Sequence, residues 1–195
     1  MGTNLITDIK EAFSNVTIDS GITPSEAHAI DDHYNPKKQA KARTKDTYNH
    51  WNEINLPAKD PGDSALSFVD PIGFRFHLPA YMSYITRQRL HDLQFHAVYY
   101  NLTNRLEIGS EYGKLQTSLL QPEERRCVAK FLIFSCESDY TGNTAEDPEE
   151  PFSLEDYYGY GDSLRVMRIY WWNNLSASEQ KLLLQRWPIL GPEPY

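Results

Sequence analysis

Apolar residues recur along this chain at intervals of three and four, and that spacing predicts helices. Leu5, Ile6, Ile9, Phe13 and Val16 form one such stripe, so residues 4–16 read as an amphipathic helix. In "GITPSEAHAIDD", Thr23 precedes Pro24 and Glu26, which is a capping box with proline in the first turn. Asn35 and Pro36 open a further helix, rich in Ala, Lys and Arg, expected to run toward Trp51. Pro122, Glu123 and Glu124 start another, with Val128, Phe131, Leu132 and Ser135 on one face. Ser176 and Glu179 form a second capping box ahead of "KLLLQRW", and in "DSLRVMRIYWW" Leu164, Met167 and Trp171 share a stripe. Period-two alternation is scarce, and "LQFHAVYY" and "LSFV" are the only strand candidates. The pattern predicts a mainly α fold: a single compact multi-helix domain over residues 1–195, with at most a few short strands.

The densest stretch is "DPIGFRFHLPAYM", residues 70–82. Asp70 is placed to cap a helix and Pro71 to occupy its first position. Leu78 precedes Pro79, and the residue before a proline avoids helical geometry, so a break or kink is expected there. A second helix would follow from Pro79. Across the joint Phe74, Leu78, Tyr81, Met82 and Ile85 are spaced to bury one side, with Phe76 and His77 toward its edge. Such a ring-studded joint reads as a folding kernel and not as a catalytic loop.

Composition narrows the function classes. Hydrophobic residues are 40% and aromatics 13%, which fits a globular chain. The net charge of -8 and a pI near 5.2 argue against nucleic acid or an anionic membrane as the main partner, and for solubility or a basic partner. No stretch approaches the roughly 20 apolar residues of a membrane span, and "MGTNLITDIK" has no basic leader. Cys127 and Cys136 lie nine apart on one expected helix, where they do not bridge; two thiols suit a reducing cytoplasm.

At "SFVDPIGFRFHLPAYM" the chain resembles an uncharacterised bacterial family, a domain of unknown function. Its members carry a Phe-x-Asp/Thr-x-x-Gly/Ala-Phe-Arg-Phe/Tyr-x-Leu-Pro-Ala-Phe/Tyr-Met/Leu core. "GITPSEAHAIDD", Asp46 and Trp51 in "DTYNHW", and "QPEERRCVAKFL" are similar as well. The resemblance spans roughly residues 5–135 and continues loosely to "DSLRVMRIYWW". The chain departs from the pattern after Arg87 and in the acidic segment after Cys136. The resemblance implies a fold and a bacterial source, and no catalytic residues come with it.

The chemical candidates are thin. Glu26, Asp31, Asp32 and His33 cluster in sequence, but Glu26 is the expected capping partner of Thr23. His28 and His33 are five apart, off the spacing that puts two ligands on one helical face, so no metal or other cofactor is expected. His50, His77, His91 and His96 match no zinc motif, neither cysteine sits in an activating context, and "GYGDS" lacks the third glycine of a nucleotide turn. The basic run of Lys37, Lys38, Lys41, Arg43 and Lys45 reads as a solvated helix face.

Residues 137–163 are different: nine carboxylates, no lysine or arginine, and Tyr140, Phe152, Tyr157, Tyr158 and Tyr160. The segment reads as an acidic, aromatic insertion or loop, either a solvated connection between helices or an interaction surface. Its length, too great for an ordinary connection, and its rings speak for the second. Rings supply rigid contact area and carboxylates steer a cationic partner. The expected contact residues are Glu146, Asp147, Glu149, Glu150, Glu155, Asp156, Tyr157, Tyr158 and Tyr160. The sequence therefore favours a non-enzymatic cytoplasmic binding protein, such as an immunity or inhibitor protein that neutralises a basic toxin. The alternatives are a small enzyme with carboxylate acid/base chemistry on Asp31, Asp32, Glu155 or Asp156, and a general adaptor.

Overall fold

Burial on almost every side keeps Pro71–Gln88 in one unbroken helix despite a proline at its centre. In a computed structural model, residues 2–54, 56, 64–88, 95–143 and 166–186 are described, and every regular element among them is helical. The fold is mainly α, as the apolar spacing predicts. Contacts group the chain into two compact units, Met1–Gln121 and Pro122–Tyr195.

The first unit holds α1 (Gly2–Ala12), α2 (Pro24–Asp31), α3 (Pro36–Arg43), α4 (Pro71–Gln88), α5 (Phe95–Leu106) and α6 (Glu111–Gln116). Short 3-10 turns at Trp51–Glu53 and Ser64–Ser67 fall between α3 and α4. α4 is the hub and packs against α1, α5, α6 and the Trp51 turn. Leu5, Ile9, Phe13 and Val16 are buried, so the predicted stripe faces the core. The Trp51 indole closes over it and donates to the Phe13 carbonyl at 3.0 Å.

Four expectations are corrected here. The break at Pro79 does not occur. An interior proline costs about 3 kcal/mol or more, but each buried large apolar side chain returns roughly 1.5–3 kcal/mol. Phe74, Phe76, Leu78, Tyr81, Met82 and Ile85 together outweigh the lost hydrogen bond. Phe76 and His77 are not at an edge; both are buried, 0% and 1% exposed. "LSFV" forms the end of a 3-10 turn, and the Phe95–Tyr100 part of "LQFHAVYY" is the start of α5. There Val98, Leu102 and Leu106 recur every four residues and are all buried, a helical period that a six-residue aromatic window conceals. Finally, α3 stops at Arg43 and does not reach Trp51, because the next residues turn to meet α2.

The second unit holds α7 (Pro122–Asn143), a π-helical turn at Met167–Trp171, a 3-10 turn at Trp172–Asn174, and α8 (Ala177–Arg186). α7 packs against both turns, with Val128, Phe131, Leu132, Met167 and Trp171 buried. Cys127 is buried in α7, and Cys136 lies on the same helix about 13 Å further on at 1.5 Å per residue. The Ser176–Glu179 capping box forms as expected. Glu179 N–H donates to Ser176 Oγ at 3.3 Å, and Ser176 N–H to Glu179 Oε2 at 2.8 Å. Leu164, expected on the same stripe as Met167, lies outside the described residues. No helix among the described residues is long and apolar enough to cross a membrane.

Candidate functional site

Asp46, Tyr48 and His77 come together where the start of α2, the connection after α3 and the middle of α4 meet. Thr23 caps α2, with Oγ1 accepting from Glu26 N–H at 3.4 Å. The carboxylate of Asp46 adds a second cap from 21 residues away. It accepts from Ser25 N–H at 2.8 Å and from Ser25 Oγ–H at 2.9 Å. This is why the chain leaves the helical path at Arg43.

Two residues further on, the Tyr48 ring stacks on Phe76 with centroids 6.0 Å apart and meets the edge of His77 at 6.3 Å. Phe76 and His77 are themselves edge-to-face at 5.2 Å. Burial pushes the Tyr48 hydroxyl's pKa up, and the neighbouring Asp46 carboxylate and Tyr81 push it the same way. A phenol so shifted stays protonated; it is a donor and a packing ring, not a base. Asp46 is engaged by Ser25, and Phe76, His77 and Tyr81 are at most 4% exposed, so a substrate has no access to them. Asp46, Tyr48 and His77 therefore form a joint between α2 and α4.

Arg43 makes the adjoining clamp. Its Nη1 donates to the Gly21 carbonyl at 2.7 Å and to Glu26 Oε2 at 2.8 Å, and Nη2 donates to the Asp19 carbonyl at 3.0 Å. The Thr23 cap thus forms in one direction, and the Glu26 carboxylate turns to Arg43. An arginine fork reaches these acceptors from two nitrogens in one fixed plane, where a lysine offers a single ammonium on a flexible stem. Glu26, Asp31, Asp32 and His33 are not brought together: Glu26 lies in the first turn of α2, Asp31 ends it and Asp32 is its C-cap. Among the described residues no group of three or more His, Cys, Asp or Glu side chains is placed to hold a metal.

In the second unit the corresponding polar centre is Glu179, which accepts from Arg126 Nη2 at 2.9 Å and from Ser176. Burial alone would raise its pKa; the hydrogen bonds from Arg126 and Ser176 outweigh that and hold it at about 2.

The carboxylates and rings expected to meet a partner occupy 146–160, and this stretch lies outside the described residues. The helix that leads into it does not. α7 runs to Asn143, so Glu137 and Asp139 stand on the end of a helix that has no basic residue in its last turn. Sequence reasoning missed Tyr48 and the Arg43 clamp, because neither belongs to a local motif; "DTYNHW" flagged only Asp46 and Trp51.

Residues 1–174 match the family described as Family of unknown function (DUF6714). The chain belongs to that family. The matched span of this DUF6714 chain takes in the α2–α4 joint, α7, the whole of 137–163 and both turns that pack on α7, and it ends before α8. No curated protein and no solved structure matches the chain.

Proposed function

We propose that this chain is a non-enzymatic binding protein whose acidic, aromatic segment engages a basic protein surface, as an immunity protein engages a toxin. The observation that carries the reading is the charge composition of residues 137–163. Asp46, Asp70, Glu26 and Glu179 are each engaged within the fold by backbone amides, a serine or an arginine. Residues 137–163 hold nine carboxylates with no lysine or arginine among them. Toxin active sites that bind anionic substrates are electropositive, and an acidic face with rings is complementary to them.

The test is capture from a lysate of the source organism by the immobilised chain, alongside Glu146→Gln/Asp147→Asn/Glu149→Gln/Glu150→Gln. A basic protein held by the native chain and lost by the variant is expected. Equal capture by both chains would remove the reading.

A further inference from the structure

α3 contributes almost nothing to the core, since Ala42 is its one buried residue. It is nevertheless fixed in place. Asn35 Oδ1 accepts from Lys38 N–H at 3.1 Å, Gln39 Nε2 donates to the Tyr34 carbonyl at 2.7 Å, and Arg43 clamps its end. Those contacts hold up three exposed lysines on α3, Lys37, Lys38 and Lys41, with exposed Lys45 in the turn just past its end. Lys38 lies 4.8 Å over the Tyr34 ring, and none of the four has an ion-pair partner among the described residues. The arrangement works against the helix. Lys37 and Lys41 are a like-charged i,i+4 pair, and the first turn holds no acidic residue. A rigid lysine face in a chain of net charge -8 is suited to an anion from outside the unit.

We propose that this face docks the acidic segment, residues 137–163, of a second copy of the chain. The sequence itself supplies the complement. Four lysines meet nine carboxylates that have no basic residue among them, and four tyrosines there offer ring faces to ammonium groups. A long nucleic acid is the poorer occupant, because the whole chain's negative charge repels it. Each copy carries one lysine face and one acidic segment, so the contact pairs unlike patches of two copies. The inference rests on the proposed function only in its consequence: self-association and a basic partner compete for one segment.

Sedimentation velocity of the full chain tests it without any partner. Association that rises with concentration is expected at about 50 mM salt and is lost at about 500 mM, where the screening length falls to a few ångströms. Lys37→Glu/Lys38→Glu/Lys41→Glu/Lys45→Glu should weaken association at least about tenfold with an unchanged helical spectrum, because all four side chains are exposed. Neutralising Glu146, Asp147, Glu149 and Glu150 should do the same. Mixing the two variants should restore a salt-sensitive pair, since each retains the half that the other lacks. Should charge reversal perturb folding, the four Lys→Gln changes give the same readout. A native chain that stays monomeric at low salt, or association that survives the lysine changes, overturns the proposal. So does a labelled oligonucleotide bound by the native chain and released by the lysine variant. Failure of lysate capture with self-association intact would sink only the basic-partner reading.

Discussion

Gly21 and Gly73 meet backbone to backbone, and neither has room for a side chain. A Cβ on Gly21 would lie 2.6 Å from Gly73 N, and one on Gly73 would run into the Ile22 carbonyl. Asp70 Oδ1 seals the same junction by accepting from Ile22 N–H at 2.8 Å and from Gly73 N–H at 2.9 Å. One carboxylate oxygen thus caps α4 and holds the entry to α2 against it. We predict that Gly73→Ala destabilises the chain by about 2–4 kcal/mol, because backbone and not a flexible side chain must move. Asp70→Ala should cost about 1–3 kcal/mol by leaving two amides unsatisfied. Asp70→Asn keeps the accepting oxygen and should cost less. Denaturant midpoints of the three variants decide it; Gly73→Ala melting like the native chain would show the contact to be loose.

Phe74 follows that glycine and is fully buried on the hub helix. Phe74→Ala should destabilise by about 3–5 kcal/mol, the range for truncating a core ring. An unchanged melting temperature would mean that α4 is not the hub described above.

His33 occupies the left-handed backbone region, with φ of 54°, just beyond α2. Its N–H donates to the Ile30 carbonyl and that of Tyr34 to the Ala29 carbonyl, both at 2.9 Å, the paired closure of a Schellman motif. Glycine is the residue this position favours. His33→Gly should therefore stabilise by about 0.5–1 kcal/mol despite the looser unfolded chain. Loss of stability would imply that the imidazole holds something at the end of α2.

These features also show what the sequence makes legible. The caps at Thr23, Asn35, Asp70, Ser110 and Ser176 are built within three residues of themselves, and all but Ser110 are readable from "TPSE", "NP", "DP" and "SASE". Pro79 misleads because a local rule is overridden by burial around α4, which is visible only once α1, α5 and α6 are in place. The end of α3 is illegible for the same reason: Asp46 leaves the helical path to reach Ser25, and nothing local announces a cap across 21 residues. The acidic segment stands out by composition alone, and composition assigns it charge and rings but no geometry.

Glu179 gives a pH signature. Its pKa is depressed from an ordinary 4.5 to about 2 in the fold, so its stabilising contribution is fully present above about 4.5. It falls away as pH drops from there through about 2, where the folded chain also takes up the proton. With Arg126 half exposed, solvent screening limits the contribution to about 1 kcal/mol. The native chain should exceed Glu179→Gln in stability at pH 6 and lose most of that margin by pH 2. A margin that does not change with pH would separate the carboxylate from the stabilisation.

The acidic segment makes the most specific kinetic prediction, because charge and rings act on different rates. Exposed carboxylates accelerate encounter, whereas buried rings slow departure. With a captured basic partner, neutralising Glu146, Asp147, Glu149 and Glu150 should lower the association rate. That loss should shrink as salt rises, since exposed charges are screened beyond about 8–10 Å at physiological strength. Tyr157→Ala or Tyr158→Ala should instead speed dissociation by on the order of 2 kcal/mol where the ring is a hot spot, with little change in the association rate. Surface plasmon resonance at two salt concentrations separates the two effects. Should both sets of variants bind with native rates, residues 137–163 would be a solvated loop, and a basic partner would have to be sought on another face.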